Sequence, residues 1–291
     1  MFSSNEYVCA NISRSSDYTF ISAFILTMLK EKSQEDSNRE SSKSLNNAYA
    51  LSAQEIKLFF LKKNNDCHVI TGDFEQLVKQ IVTLLKNSKE QMPCRIQIAY
   101  KRTDIDFETG EEYQHWSSMD VSVTTDKIGI LYLDSAGDPS NIEIAIEIAQ
   151  SLENAELTIC DDFSPKYKPS AMQKDGESCS IFIADLILQM KKINDLHERI
   201  ALHRIFNEKE NYYDLDPRKL PPILLRNAQS ITFLTQCINE NEECATYRVS
   251  NKGELLMEYV ARHTIFCPLV NKEVNAAIQA KQIAFARKVR I

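Results

Sequence analysis

Residues 180–190 read SIFIADLILQM, a stretch of helical length that is apolar almost all the way round. A helix without a polar face cannot lie on a surface, so other elements have to cover it on every side. Residues 128–133, IGILYL, make a matching demand. A strand apolar at nearly every position is a central strand buried on both faces. A chain of 291 residues is long enough to meet both demands with one large core or two small ones.

The elements that would do the covering can be read from periodicity. Residues 53–63 have helical spacing, and 67–71 form a short strand. Asp73 then caps a helix to Leu85 with Phe74, Leu77, Ile81 and Leu84 in one stripe. Strands follow at 95–100 and 116–123, the second alternating with Met119, Val121 and Val123 on one face. TTDK at 124–127 is a hairpin turn into 128–133. Residues 141–152 read as an amphipathic helix with Ile142, Ala145, Ile146 and Ala149 inward and Glu143 and Glu147 outward, and 155–160 is a strand. Helices are expected at 195–206, 223–239, 254–262 and 270–288. Upstream, 18–29 is a core helix, and the polar, Ser/Asn-rich 31–47 is a linker. The result is an α+β chain in three parts: an N-terminal helical segment with its linker (1–50), a core (51–194), and a helical extension that completes the fold (195–291).

Composition narrows the function. A net charge of −7 argues against a general nucleic-acid surface, although the last eleven residues hold Lys281, Arg287, Lys288 and Arg290 and no acid. Six Gly and eight Pro exclude a turn-rich all-β chain. The eight cysteines contain no CxxC and no zinc spacing, so no metal site is expected. Seven of them read as reduced core thiols, which implies a reducing compartment. No apolar run approaches the roughly 18 residues of a membrane span.

The eighth cysteine belongs to a constellation. His115 opens one strand, in Gln114-His115-Trp116-Ser117. Asp134 ends the next, in Leu131-Tyr132-Leu133-Asp134-Ser135. A tight hairpin sets the start of one strand beside the end of its partner, so a carboxylate there can orient the imidazole and favour its charged form. Cys179 ends the polar loop from Gln173 to Ser178 and starts the buried helix, where the dipole and free N–H groups favour a thiolate. A thiolate, a base and an orienting acid make an activated nucleophile. Gln173, with the backbone N–H of Cys179, is a candidate donor to an oxyanion. Taken singly, each residue has a plainer reading: a small core thiol, a packed His, a turn-forming Asp. The ordered set in its expected strand, hairpin and helix contexts favours catalysis. Asp120 lies inside the strand with the wrong reach for the acid role.

This set resembles the clan of cysteine proteases that includes the SUMO proteases and other ubiquitin-like proteases. There His-Trp opens a strand, Asp-Ser closes the next and Gln precedes the nucleophile. The usual Cys-Gly is Cys179-Ser180 here, a slightly more crowded turn. Within the clan the chain is similar to the YopJ family of bacterial type III effectors, which acetylate Ser, Thr and Lys of host proteins. His115 and Asp134 lie nineteen positions apart with Asp120 between them, as in that family's histidine–acid segment, where most members use Glu and some Asp. Leu220-Pro221 followed by Arg226-Asn227-Ala228-Gln229-Ser230 resembles the family's LP…KH-x-QS stretch, and Leu196-His197-Glu198 its IHE element. Lys272-Glu273 through Ile283-Ala284 aligns without gaps to its C-terminal helix. The lysine of the KHxQS stretch, an autoacetylation position in some members, is Arg226 here, and the basic run of the last helix is thinned by Ala280 and Gln282.

The resemblance implies a ping-pong acetyltransferase that carries acetyl from acetyl-CoA on Cys179. It implies a cationic site for the activator inositol hexakisphosphate, assigned to Lys281, Arg287, Lys288 and Arg226. It implies delivery by a bacterium into the host cell cytoplasm and partners among host signalling proteins such as kinases. It also makes 195–291 a regulatory extension that typical ubiquitin-like proteases lack. The same triad would serve a ubiquitin or ubiquitin-like isopeptidase, to which His115-Trp116 and the Asp134-Ser135 ending are closer in detail. A non-catalytic binding module that keeps the triad as fold is the third reading.

Overall fold

The computed structural model describes residues 25, 26, 29, 51–89, 92–105, 112–136, 139–160, 172–174, 178–268 and 271–289. The expected linker at 31–47 lies outside them, as does most of the expected helix at 18–29. Of that helix, Ile25, Leu26 and Leu29 are described and helical, and Ile25 and Leu26 are buried.

Seven strands form one mixed sheet in the order β1-β2-β3-β4-β5-β7-β6. They are β1 (His68–Gly72), β2 (Cys94–Ile105), β3 (Glu112–Val123), β4 (Ile128–Leu133), β5 (Ala155–Cys160), β6 (Arg204–Asn207) and β7 (Tyr212–Leu215). The centre, β2 to β4, is an antiparallel meander, whereas β1, β5 and β7 run parallel to their inner neighbours. The β3–β4 hairpin closes at TTDK, where the Thr124 N–H donates to Lys127 O at 3.0 Å.

Helices cover both faces. On one side α2 (Phe74–Ser88) and α3 (Pro139–Gln150) pack against Ile98, Met119, Val121, Ile130 and Tyr132. Asp73 caps α2 by accepting from the Gln76 N–H at 2.9 Å, as its position predicts. The inward face of α3 carries Ile144, Ala145 and Ile148 rather than the stripe through Ile142 and Ile146. Isoleucine at every second position leaves the helical phase open in sequence, and packing selects one phase.

On the other side α1 (Ala53–Lys62) and α4 (Cys179–Met190) meet the helices that follow. Eleven of the twelve residues of α4 are buried, which is the covering its composition requires. Phe182 at its centre is 1% exposed, and truncating such a side chain to Ala typically costs about 3–5 kcal/mol. After α4 come α5 (Leu196–Ala201), α6 (Pro222–Leu225), α7 (Ile231–Glu240), α8 (Leu256–His263) and α9 (Ala277–Val289). A small hairpin, β8 (Thr264–Cys267) with β9 (Lys272–Asn275), lies between the last two.

The region after residue 195 is less helical than its sequence predicts. The expected helix 195–206 stops at Ala201, and the chain turns into the β6–β7 hairpin, which extends the main sheet. Four-residue edge strands are too short to show a period, and Ile205 and Phe206 remain half exposed at the edge. Of the core cysteines, Cys160, Cys237, Cys244 and Cys267 are buried, while Cys67 and Cys94 are partly buried. Burial pushes the Cys67 thiol up to about 12 and the Cys244 thiol up to about 11.

Candidate active site

The hairpin delivers the histidine and the acid to one end of the sheet. Ser118 pairs with Leu133, so one step further along the ladder Ser117 faces Asp134, with His115 one pleat beyond on the same face. His115 Nε2 lies 2.8 and 3.0 Å from the two Asp134 oxygens. Cys179 acts on the same imidazole and helps to raise its pKa. Because Nε2 is engaged by the carboxylate, Nδ1 is the nitrogen left for sulfur. Cys179 is the first residue of α4, whose N-terminus therefore sits at this end of the sheet. All three are nearly enclosed: Cys179 is 6%, His115 7% and Asp134 4% exposed.

The electrostatics favour a charged pair. Burial works against the imidazolium, but the charge and hydrogen bond of Asp134, with a contribution from Cys179, outweigh it and raise His115 to about 10. Burial likewise opposes the Asp134 carboxylate, and His115, Ser117 and the Ala136 N–H overcome it and hold Asp134 at about 2. Asp134 accepts from Ser117 Oγ at 2.6 Å, Tyr132 OH at 3.0 Å and Ala136 N–H at 2.8 Å besides the histidine.

Gln173 is held beside this group. Ser135, the residue after the acid, donates its hydroxyl to Gln173 Oε1 at 2.7 Å and accepts the Gln173 N–H at its own carbonyl at 2.8 Å. The same segment is clamped from the other side by Gln229, whose Oε1 accepts the Lys174 N–H at 2.5 Å and whose N–H donates to Met172 O at 2.8 Å. Ser180 is fully buried, and its hydroxyl accepts the Leu51 N–H at 3.0 Å, tying the approach to α1 onto the helix that carries the thiol.

The cationic residues gather elsewhere, round the middle of α4. Buried Asp185 accepts from Arg226 Nη2 at 3.0 and 3.1 Å, Lys281 Nζ at 2.9 Å, Asn227 Nδ2 at 2.5 Å and Gln189 Nε2 at 3.1 Å. Burial opposes its charge, but Lys281 and Arg226 dominate and hold it at about 2. Arg226 also donates to Val249 O and lies over the Tyr259 ring, while its buried Nε finds no acceptor among the described residues. Lys281 is held below the ordinary lysine value by burial and by Arg226, despite the pull of Asp185. Lys192 is lowered by burial and by Arg226, and Lys288 by its contact with Lys63. Lys63 and Lys192 thus join the patch, from α1's end and from the turn after α4. Each is the second of a lysine pair, Lys62-Lys63 and Lys191-Lys192, too short a run to mark a polyanion site, so the fold is what reveals them. Arg287 is exposed and six residues after Lys281, about a third of a turn away round the helix. It is not among the charges acting most strongly on Lys281, Lys192 or Lys288.

Asp120 serves a third cluster. It accepts from Arg95 Nε at 2.7 Å and Nη2 at 2.9 Å, from Gln97 Nε2 at 3.0 Å, and pairs with His197 Nε2 at 2.9 Å. His197 packs over Gly129, where an added Cβ would lie 3.3 Å from the ring. Among the described residues no cluster of His, Cys, Asp and Glu could hold a metal ion, and no helix is long and apolar enough to cross a membrane.

A mixed sheet backed by a buried helix, with cysteine, histidine and aspartate meeting at one end, is a cysteine-protease-like core. Solved structures share this fold. An AvrA deletion variant with IP6 and CoA matches with a TM-score of 0.62 at 15% identity, over 94% of this chain and 98% of that one. HopZ1a in complex with IP6 matches with a TM-score of 0.59 at 12% identity, over 93% and 97%. HopZ1a with IP6 and CoA gives 0.54 at 12% identity, over 93% and 98%. No curated protein matches the sequence significantly. The model of the YopJ serine/threonine acetyltransferases matches residues 21–288, and the chain belongs to that family.

Proposed function

We propose that this effector acetyltransferase moves its acetyl group through Cys179, with His115 as base and Asp134 as the group that orients it. The observation that carries the reading is the enclosed contact chain from the Cys179 thiol through the imidazole to the Asp134 carboxylate. Transfer of the thiol proton to His115 Nδ1 gives a thiolate beside an imidazolium that Asp134 stabilises. The thiolate attacks the thioester carbonyl of acetyl-CoA. As the tetrahedral intermediate collapses, the bond to the CoA sulfur breaks, His115 returns its proton to that sulfur, and CoA leaves. The acetyl group is then a thioester on Cys179. A Ser or Thr hydroxyl, or a Lys amine, attacks this thioester while His115 takes its proton, and the thiol is regenerated.

Gln173 is the proposed oxyanion donor. With Oε1 accepting from Ser135, the amide has a fixed polarity, and its NH2 is the end that can donate.

The patch of Lys63, Lys192, Lys281 and Lys288 with Arg226 has the chemistry of a polyphosphate site. Inositol hexakisphosphate, which the AvrA and HopZ1a complexes contain, fits it: a polyanion would relieve lysines held below their ordinary value and offer the Arg226 Nε an acceptor. Bound there, it would neutralise cations that converge on the helix carrying Cys179. The reading extends to secretion into the host cell cytoplasm and to host signalling proteins such as kinases as acetyl acceptors.

Intact mass after incubation with acetyl-CoA tests the mechanism. The wild type gains one acetyl group that hydroxylamine removes, and Cys179→Ala gains none while melting normally. A labile acetyl adduct on Cys179→Ala would overturn the assignment.

A further inference from the structure

Behind the triad lies a second row of buried polar groups. Ser117 is 0% exposed and donates its hydroxyl to Asp134 Oδ2 at 2.6 Å. The Ser117 Oγ in turn accepts from Asn141 Nδ2 at 2.8 Å. Asn141, also 0% exposed, is the third residue of α3, and its backbone carbonyl accepts from Tyr100 OH at 3.1 Å.

This arrangement has a direction. A serine hydroxyl carries one proton, and an amide NH2 can only donate. With Asn141 donating into Ser117 Oγ, the serine's own proton is turned toward the carboxylate. Asp134 could otherwise rotate about its side-chain bonds, and a carboxylate that rotates presents different lone pairs to the imidazole. Oδ2 takes the short bond from Ser117 and a longer one from Tyr132 OH at 3.0 Å, and Oδ1 takes the Ala136 N–H. Burial is complete, so water cannot replace a missing donor here without opening the core.

We propose that Ser117 is a positioning residue of the active site, held in its donating orientation by Asn141, so that the working unit is Asn141–Ser117–Asp134–His115–Cys179. Ser117 acts through Asp134 and touches no reacting atom. The proposal rests on Cys179 being the nucleophile activated by His115. It also gives α3, through Asn141, a part in setting the geometry of the site.

A double-mutant cycle tests it, read as the rate of Cys179 alkylation by iodoacetamide at pH 7 and, separately, as the rate of acetyl-enzyme formation. Ser117→Ala should slow both about tenfold, the usual effect of losing one charge-assisted hydrogen bond. Acetyl-CoA KM should stay unchanged, because no substrate contact is lost. Asp134→Ala should slow both further, and adding Ser117→Ala to Asp134→Ala should change nothing more. Losses that multiply would show that Ser117 acts independently of the carboxylate and would overturn the proposal. Ser117→Thr and Ser117→Val supply a second test, being equal in shape and different only in the hydroxyl. Thr should keep most of the rate and Val should behave as Ala; equal losses would mean that packing alone is at stake. Alkylation that responds as expected while no acetyl-enzyme forms in any variant would refute the transferase mechanism and leave the role of Ser117 standing.

Discussion

Asp185 should be among the most sensitive positions outside the triad. Its carboxylate receives Arg226, Lys281, Asn227 and Gln189, with charge-bearing distances of 2.9–3.1 Å. The Asp185, Arg226 and Lys281 side chains are 5%, 8% and 20% exposed, so solvent screens the cluster little. Asp185→Ala leaves two cations and two amides facing a void. Breaking a buried pair from one side costs about 3–5 kcal/mol, and because Lys281 can swing toward water the lower end applies. For a chain of this size about 3 kcal/mol corresponds to a fall in Tm of roughly 6–12 °C. Circular dichroism melts at low salt measure it. Replacing all three charges, by Asp185→Leu with Arg226→Met and Lys281→Met, should return the Tm to within a few degrees of wild type, since a well-packed apolar trio removes the charges with their penalty. A fall below about 2 °C in Asp185→Ala would refute the reasoning, because it would mean that the cations are satisfied without their counter-ion.

Two further outcomes follow from the same charges. His115, ordinarily near 6.5, is raised to about 10, and Asp134, ordinarily near 3.8, is lowered to about 2, so their pairing stabilises fully between these ordinary values. That stability is lost on the alkaline side as pH rises toward 10 and on the acid side as pH falls toward 2, where Asp185 adds to the loss. A pH series of melts should show both limbs, and Asp134→Asn should flatten the alkaline one; an unchanged alkaline limb would place its origin elsewhere. Inositol hexakisphosphate should raise the wild-type Tm at low salt, less as salt increases. Lys192→Glu with Lys288→Glu should abolish that rise and Arg287→Glu alone should keep most of it, whereas the reverse pattern would move the site to the exposed face of α9.

The elements with a strong period were legible in the chain. The 128–133 and 155–160 strands match residue for residue, and α4 differs by one residue, because each had to be buried and its composition says so. The edge hairpin β6–β7 was not legible, since four residues at a sheet edge carry neither a period nor a continuous apolar run. His115, Asp134, Cys179 and Gln173 could be named because strand, turn and helix signals fix their ends of the elements. Ser117 was within reach as well: a turn at 124–127 pairs Val123 with Ile128, and counting back along that ladder sets Ser117 opposite Asp134. Asn141, Asp185, Lys63 and Lys192 were beyond reach. Their roles come from contacts between elements distant in sequence, and a lone aspartate inside SIFIADLILQM gives no sign of which cations the folded chain will bring to it.

Those contacts bear on whether 51–194 can stand as a unit without 195–291. The helix α4 is held at three levels, and each hold draws on the later segment. At its start, the Gln173 segment beside the triad is clamped by Gln229. At its middle, Asp185 is neutralised by Arg226 and Lys281. At its end, Arg95 donates to the Met190 and Ile193 carbonyls while gripping Asp120, which His197 also holds. Beyond the polar contacts, Leu215, Leu224, Leu225, Phe233, Leu234 and Ile278 belong to the same apolar cluster as α4, and β7 covers the open side of β5. A chain cut after residue 194 would uncover the apolar side of α4 that the later segment packs on, strip Asp185 of both its cations and open the edge of β5. We therefore expect residues 51–194 alone to bind hydrophobic dye and to melt without a cooperative transition. In that fragment Cys179 should be alkylated no faster than an ordinary thiol, because the clamp of Gln229 on the segment that leads into the helix is gone. A sharp melt of this fragment with rapid Cys179 alkylation would show instead that the core folds alone and that the later segment only modulates it.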